Sequence, residues 1–246
     1  MEADSMELVW KCQKCQRFAP TIHRPANDLQ PILNPIPFAQ WGMDILGPFP
    51  RAPGGKRWLI VGIDYFSKWI EAESLVQITR KEVRKFIWQN IMTCYSLLVC
   101  LVFDHGKQFD NDDIKEFLSQ YHVKFASSAV CHPQSNGLAE AANKKILNSL
   151  LKRLEDKKGK RLFELHNTLW SLKTTRREST WQTPFCMVYG TEALMPIEAG
   201  STSLRVQRYH GAENDRVLAE RLDVLEEVRE QAALRMQAYL GKVARH

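Results

Sequence analysis

From residue 41 to residue 189 the apolar positions change repeatedly between a strand-like alternation and a helical spacing. Residues 41–46 form a short strand candidate, ended by Gly47-Pro48-Phe49-Pro50. Residues 57–64 (RWLIVGID) read as a buried strand after the turn Pro53-Gly54-Gly55, and 69–74 alternates well enough to pair with it as a hairpin. Residues 79–92 read as a helix, because Val83, Phe86, Ile87 and Ile91 share a face. The apolar run 97–103 (LLVCLVF) is a strand candidate, 111–121 an amphipathic helix and 124–126 a minimal strand. Asn136 is the expected N-cap of a long helix to Leu154, and 162–174 and 183–189 are further helices. Three strands, a helix, then strand–helix–strand–helix predict an α/β layer fold with a mixed sheet.

The flanks follow other rules. Residues 1–19 are polar and carry Cys12 and Cys15. Residues 20–40 hold Pro20, Pro25, Pro31, Pro35 and Pro37, which suit neither a helix nor a central strand, so an extended linker is expected. The compact unit is expected over 41–190, followed by a linker over 191–213 and a long helix over 214–246. In that helix Leu218, Leu222, Leu225, Arg229, Ala232, Met236, Tyr239 and Val243 recur in alternating steps of four and three. The seam fits either a coiled coil or one amphipathic helix docked on its own domain.

Composition narrows the classes. With 246 residues, 44% hydrophobic and 25% charged, the chain has the balance of a globular protein. No apolar run reaches the roughly 18 residues that cross a bilayer, so no membrane partner is expected. Met1–Trp10 has three acids and no basic residue, against a secretory signal. Residues 140–178 hold eleven basic residues against five acids, a net +6 that accounts for the whole formal excess of the chain. That window is either a surface for a polyanion or a solvated helix face. Cys94, Cys100, Cys131 and Cys186 are isolated and read as buried thiols; a reducing compartment without disulfides is expected.

Three carboxylates sit where chemistry is done in such folds. Asp44 lies in the first strand before a Gly-Pro break, Asp104 follows the apolar run 97–103, and Glu140 falls in the first turns of the long helix. A carboxylate just after a buried strand projects at the sheet edge, where open α/β folds build their sites. Converging, they would form a hard oxygen site suited to Mg²⁺ or Mn²⁺, and two such ions serve phosphoryl transfer. Taken singly, each acid also fits a turn or cap. From Glu140 the helical row is Lys144, Asn148 and Lys152, with Ala139, Ala142, Ile146, Leu150 and Leu154 expected to pack on the sheet.

Asp44, Asp104 and Glu140, with 35 residues between the last two, resemble the D,D-35-E triad of retroviral and retrotransposon integrases. The surrounding words match too: Trp41-Gly42-Met43-Asp44, Asp104-His105-Gly106-Lys107-Gln108-Phe109, and His132-Pro133-Gln134-Ser135-Asn136-Gly137. Lys11-Cys12-Gln13-Lys14-Cys15-Gln16, Thr183-Pro184-Phe185 and Tyr189-Gly190-Thr191-Glu192-Ala193 are similar to plant Gypsy-type LTR retrotransposon integrases in particular. The resemblance implies a ribonuclease-H-like core, a mixed five-stranded sheet flanked by helices, plus the long C-terminal helix. It implies that Asp44, Asp104 and Glu140 hold two Mg²⁺ (or Mn²⁺) ions for 3′-end processing and strand transfer. Lys144, with Lys145 and Lys152, would hold DNA phosphates, and Gln134 and Asn136 would line a loop beside the site. The implied partners are element-end and target DNA and further copies of the chain, as a homodimer or higher oligomer, working in the nucleus.

Some positions depart from the family pattern. Cys12 and Cys15 match half of an N-terminal zinc module, with no histidine before them, and a tetrahedral site needs four ligands, so no stable Zn²⁺ binding is expected. The chain is expected to be truncated at both ends relative to the family. Phe103 and His105 flank the second aspartate in place of a small hydroxyl residue and Asn; Phe103 is expected to add bulk near the metal site. A catalytically degenerate DNA-binding or assembly remnant is therefore the alternative to a working integrase core.

Overall fold

In a computed structural model of the chain, the structure describes residues 36–95, 98–103, 111–127, 147–148, 151, 161–194 and 210–243. Strands β1 (Gln40–Leu46), β2 (Trp58–Asp64) and β3 (Ile70–Leu75) form an antiparallel meander. β4 (Cys100–Phe103) adds to the other side of β1 in parallel, and β5 (Lys124–Ser127) adds in parallel to β4. The result is the mixed five-stranded sheet β3-β2-β1-β4-β5. β1 is central, and its residues Trp41–Met43 are held by ladders on both sides.

The pleat divides the core in two. Trp41, Met43, Ile60, Leu101 and Phe103 bury one face of the sheet. Helix α1 (Arg80–Phe86) covers that face with Val83 and Phe86, and α2 (Asp112–Gln120) with Ile114 and Leu118. α1 continues into a π-helical segment, Ile87–Met92, which buries Ile87, Ile91 and Met92, and a last turn, Thr93–Tyr95. Leu59, Val61, Ile63, Ile70 and Ala72 bury the other face against Leu147 and against Leu165, Leu169 and Leu172 of α3 (Arg161–Thr174).

The helix starts are chemically ordinary. Thr79 Oγ1 accepts the amide of Glu82, Asn111 Oδ1 that of Ile114, and Thr183 Oγ1 that of Cys186 at the head of α4 (Pro184–Tyr189). Gly190 closes α4 at φ 73°, the left-handed position that glycine takes without strain. At Gly47, just after β1, φ is 127° and an added Cβ would lie 2.8 Å from the Arg57 carbonyl oxygen, so only glycine fits that turn.

Three expectations change. The Pro-rich linker stops short of residue 40. Residues 36–39 form a turn packed on the body: Phe38 stacks on Tyr95 with ring centroids 4.4 Å apart, and its carbonyl accepts Trp41 Nε1. The fourth strand starts at Cys100 rather than residue 97, because the ladder can begin only opposite Gln40; Leu98 is buried outside it and Val99 is exposed. The tail is two helices, α5 (Gly211–Asp223) and α6 (Leu225–Val243), broken at Val224.

The break decides between the two readings of the seam. Ala232, Met236 and Leu240 of α6 bury against Phe66 and Met187, so this half docks on its own domain. Arg229, the one charge in the seam, donates from Nε to the Met187 carbonyl and from Nη2 to that of Val188, covering the end of α4. Leu218 and Leu222 of α5 remain exposed. Among the described residues no helix is long and apolar enough to cross a membrane.

Candidate metal and nucleic-acid site

Asp44 is half-buried in the middle of the central strand, and its Oδ1 accepts the next amide, Ile45 N, at 2.8 Å. Its register partner on β2 is Val61, so its side chain belongs to the face carrying Val61, Leu147 and α3. Gly42, two residues back on that face, adds no side chain beside it. On the β4 side Met43 pairs with Phe103, the last residue of the strand.

The other proposed site residues, Asp104, Gln134, Asn136, Glu140, Lys144, Lys145 and Lys152, lie outside the described residues, as do His105, Cys12 and Cys15. Among the described residues no group of three or more His, Cys, Asp or Glu could hold a metal ion.

Phe103 is a correction. It is 1% exposed and stacks on Phe125 with centroids 4.8 Å apart. Both rings belong to the face opposite Asp44, so the bulk of Phe103 fills the core under α1 and α2 and not the carboxylate's surroundings. Of the expected long helix, Leu147 is buried and Asn148, placed in the row from Glu140, is exposed; Ala139, Ala142, Ile146, Leu150 and Leu154, expected to pack on the sheet, lie outside the described residues.

The basic window also divides. Lys173 is no surface cation: Nζ lies 2.6 Å from Glu71 Oε1 and 4.4 Å from the centroid of Trp69, tying α3 to β3. The same Glu71 oxygen accepts Trp69 Nε1 and the Tyr95 hydroxyl, and burial with this carboxylate contact pushes the Tyr95 phenol upward. Arg177 turns inward, donating from Nη2 to the Leu172 carbonyl at 2.6 Å. Arg176 stays exposed, its guanidinium 5.3 Å over the ring of Trp181.

A second acid escaped the sequence reading. Asp64, fully buried at the end of β2, accepts Ser67 Oγ at 2.6 Å, Ser67 N at 2.7 Å and Phe38 N at 3.0 Å. Burial pushes its carboxyl up to about 6, and burial lowers the neighbouring Lys68 to about 8. Asp64 pairs with Trp41, three residues from Asp44 along β1, and it fastens the hairpin turn and the 36–39 turn to the sheet. The Asp64-x-x-Ser67 spacing was the available signal: Asp before a tight turn commonly accepts amides two and three residues on.

No protein-family model matches the chain. It is 25% identical over 231 residues to the Pro-Pol polyprotein of feline foamy virus, covering 94% of this chain and 19% of that one. It is also 25% identical over 231 residues to human Gypsy retrotransposon integrase-like protein 1, covering 91% of this chain and 41% of that protein. The chain thus spans less than half the length of either curated relative. A chain of the simian T-cell lymphotropic virus intasome, seen by cryo-electron microscopy in complex with PP2A regulatory subunit B56 gamma, superposes with a TM-score of 0.56. That match is 16% identical and covers 80% of this chain and 69% of the other. The chain is thus similar in sequence to a retroviral Pro-Pol polyprotein and to a Gypsy retrotransposon integrase-like protein, and its mixed five-stranded sheet flanked by helices has the ribonuclease-H-like fold, shared with a chain of a retroviral intasome.

Proposed function

We propose that the chain is the catalytic core of an LTR retrotransposon integrase of the plant Gypsy type, which trims element DNA ends and joins them to host DNA. The β1–β4 register carries this reading. Met43 and Phe103 are partners, and Asp44 and Asp104 follow them in the sequence. A pleat continued by one residue would turn both carboxylates to the same sheet face. Leu147 packs on that face, and Glu140 precedes it by seven residues, about two helical turns. A helix through both residues would turn Glu140 to that side.

Three carboxylates are hard oxygen donors, the set that Mg²⁺ and Mn²⁺ prefer over softer metals. Asp44, Asp104 and Glu140 would hold two such ions, which when bound neutralise charge on the attacking and leaving oxygens of a phosphodiester. The chain's own share is positioning. The β2 ladder holds the Asp44 backbone and the β4 ladder holds its neighbour Met43, and Lys144, Lys145 and Lys152 with Gln134 and Asn136 would hold DNA across the site. Joining to host DNA would be done in the nucleus, by a homodimer or higher oligomer on the element's DNA ends. The burial of Phe103 in the core, on the sheet face opposite Asp44, supports a working site over the alternative of a DNA-binding remnant without turnover.

The metal site is tested by thermal unfolding with and without Mg²⁺ or Mn²⁺. At about 100 times Kd the ion should stabilise the fold by about 2.7 kcal/mol. Asp44→Asn should abolish that gain, and an equal gain in the variant would refute the site.

A further inference from the structure

The turn between α3 and α4 carries a residue the core does not need. Trp181 is 56% exposed, yet its backbone sits at φ 58°, where a bulky side chain is rarely found. Several bonds hold it there. Trp181 N donates to the Arg177 carbonyl at 2.8 Å, Arg177 N to that of Gln182 at 2.9 Å, and Arg176 Nε to that of Trp181 at 2.5 Å. Ser179 and Thr180 anchor the turn by burial. The indole is thus presented outward on a fixed backbone, with the Arg176 guanidinium stacked beside it.

We propose that Trp181 and Arg176 form a second nucleic-acid contact, in which the indole stacks on an unpaired base and the guanidinium meets the adjoining phosphate. This rests on the reading of the chain as a DNA-joining enzyme, but it concerns residues other than the three carboxylates. Charge complementarity selects the occupant. Arg176 lies in the 140–178 window, which holds the chain's entire positive excess, and a flat π-surface beside a guanidinium is the pairing that binds single strands without regard to sequence. Such a contact suits the unpaired nucleotides at a trimmed DNA end.

The test uses the full chain and a fluorescein-labelled oligo(dT) strand, followed by fluorescence anisotropy without divalent cation, so that the carboxylate site takes no part. Trp181→Gly is the informative variant, because glycine suits the positive φ and keeps the turn folded. It should melt no lower than the wild type and bind the strand about tenfold more weakly. Trp181→Phe should retain most of the affinity. Arg176→Ala should weaken binding and flatten its salt dependence by about 0.7 in log–log slope. Unchanged binding in Trp181→Gly, or no binding by the wild type at low salt, overturns the proposal. So does a loss of self-association in Trp181→Gly with oligonucleotide binding intact, which would make the turn a protein contact. Trp181-dependent binding in a chain with no metal-dependent joining would overturn the integrase reading and leave this one standing.

Discussion

Asp64 and Lys68 are the residues whose charges the fold tolerates least. The Asp64 carboxyl is raised from 3.8 to about 6 by burial, so the folded chain holds a proton that the unfolded chain has released. Stability should therefore fall as pH rises from about 4 to about 6. Lys68 is lowered from 10.5 to about 8 by burial, so the unfolded chain holds the extra proton there. Stability should rise again as pH climbs from about 8 to about 10.5, leaving the minimum of this pair's contribution between the two. Urea unfolding across that range checks both limbs, and Asp64→Asn should remove the falling one. The Asp64-x-x-Ser67 spacing signalled a turn, but the burial that shifts both groups was not visible in the sequence, where Asp64 read as the end of a strand. The Phe38 amide that Asp64 accepts and the Arg177 charge that acts on Lys68 arrive from elsewhere in the chain, and local pattern carries no such information. Phe103 teaches the same lesson. Its bulk was legible, but which face of the sheet receives it was not.

At the scale of elements, pattern was a good guide wherever one face packs and the other does not. The five strands fall where alternation and apolar runs put them, and Thr79, Asn111 and Thr183 cap their helices as their chemistry dictates. Thr183→Ala should cost about 1 kcal/mol, read as a lower urea midpoint at unchanged m. Pattern failed where the deciding partner is distant. The start of β4 is set by Gln40, and the π-helical turn after α1 has no local signature. The break at Val224 has neither Gly nor Pro to announce it. The tail seam was ambiguous because docking and coiled-coil pairing ask for the same spacing. Met236 now distinguishes them. It is 2% exposed against Phe66 and Met187, and Met236→Ala should destabilise the whole domain by about 2–5 kcal/mol. A coiled coil would instead lose self-association, with the monomer's urea midpoint unchanged.

For the whole molecule, the candidate site depends on bringing together segments that are remote in sequence. Asp44 and Asp104 are 60 positions apart, and only the parallel pairing of β1 with β4 makes the residues just before them, Met43 and Phe103, neighbours in register. The residue types and the 35-residue spacing were legible at once. The shared sheet face of Asp44 and Leu147 was not, because it requires the strand order β2-β1-β4 and the packing of a later helix. The net positive window was legible as charge. Its division into an internal strut at Lys173, an inward Arg177 and an outward Arg176 depends on contacts across as many as 102 positions. The decisive measurement is disintegration of a branched DNA substrate with Mg²⁺ or Mn²⁺, comparing wild type with Asp44→Asn and Asp104→Asn. The wild type should resolve the branch only with the metal, and both variants should lose that activity while melting like folded proteins. Resolution at the wild-type rate in either variant, or none in a folded, DNA-binding wild type, would contradict a working three-carboxylate site.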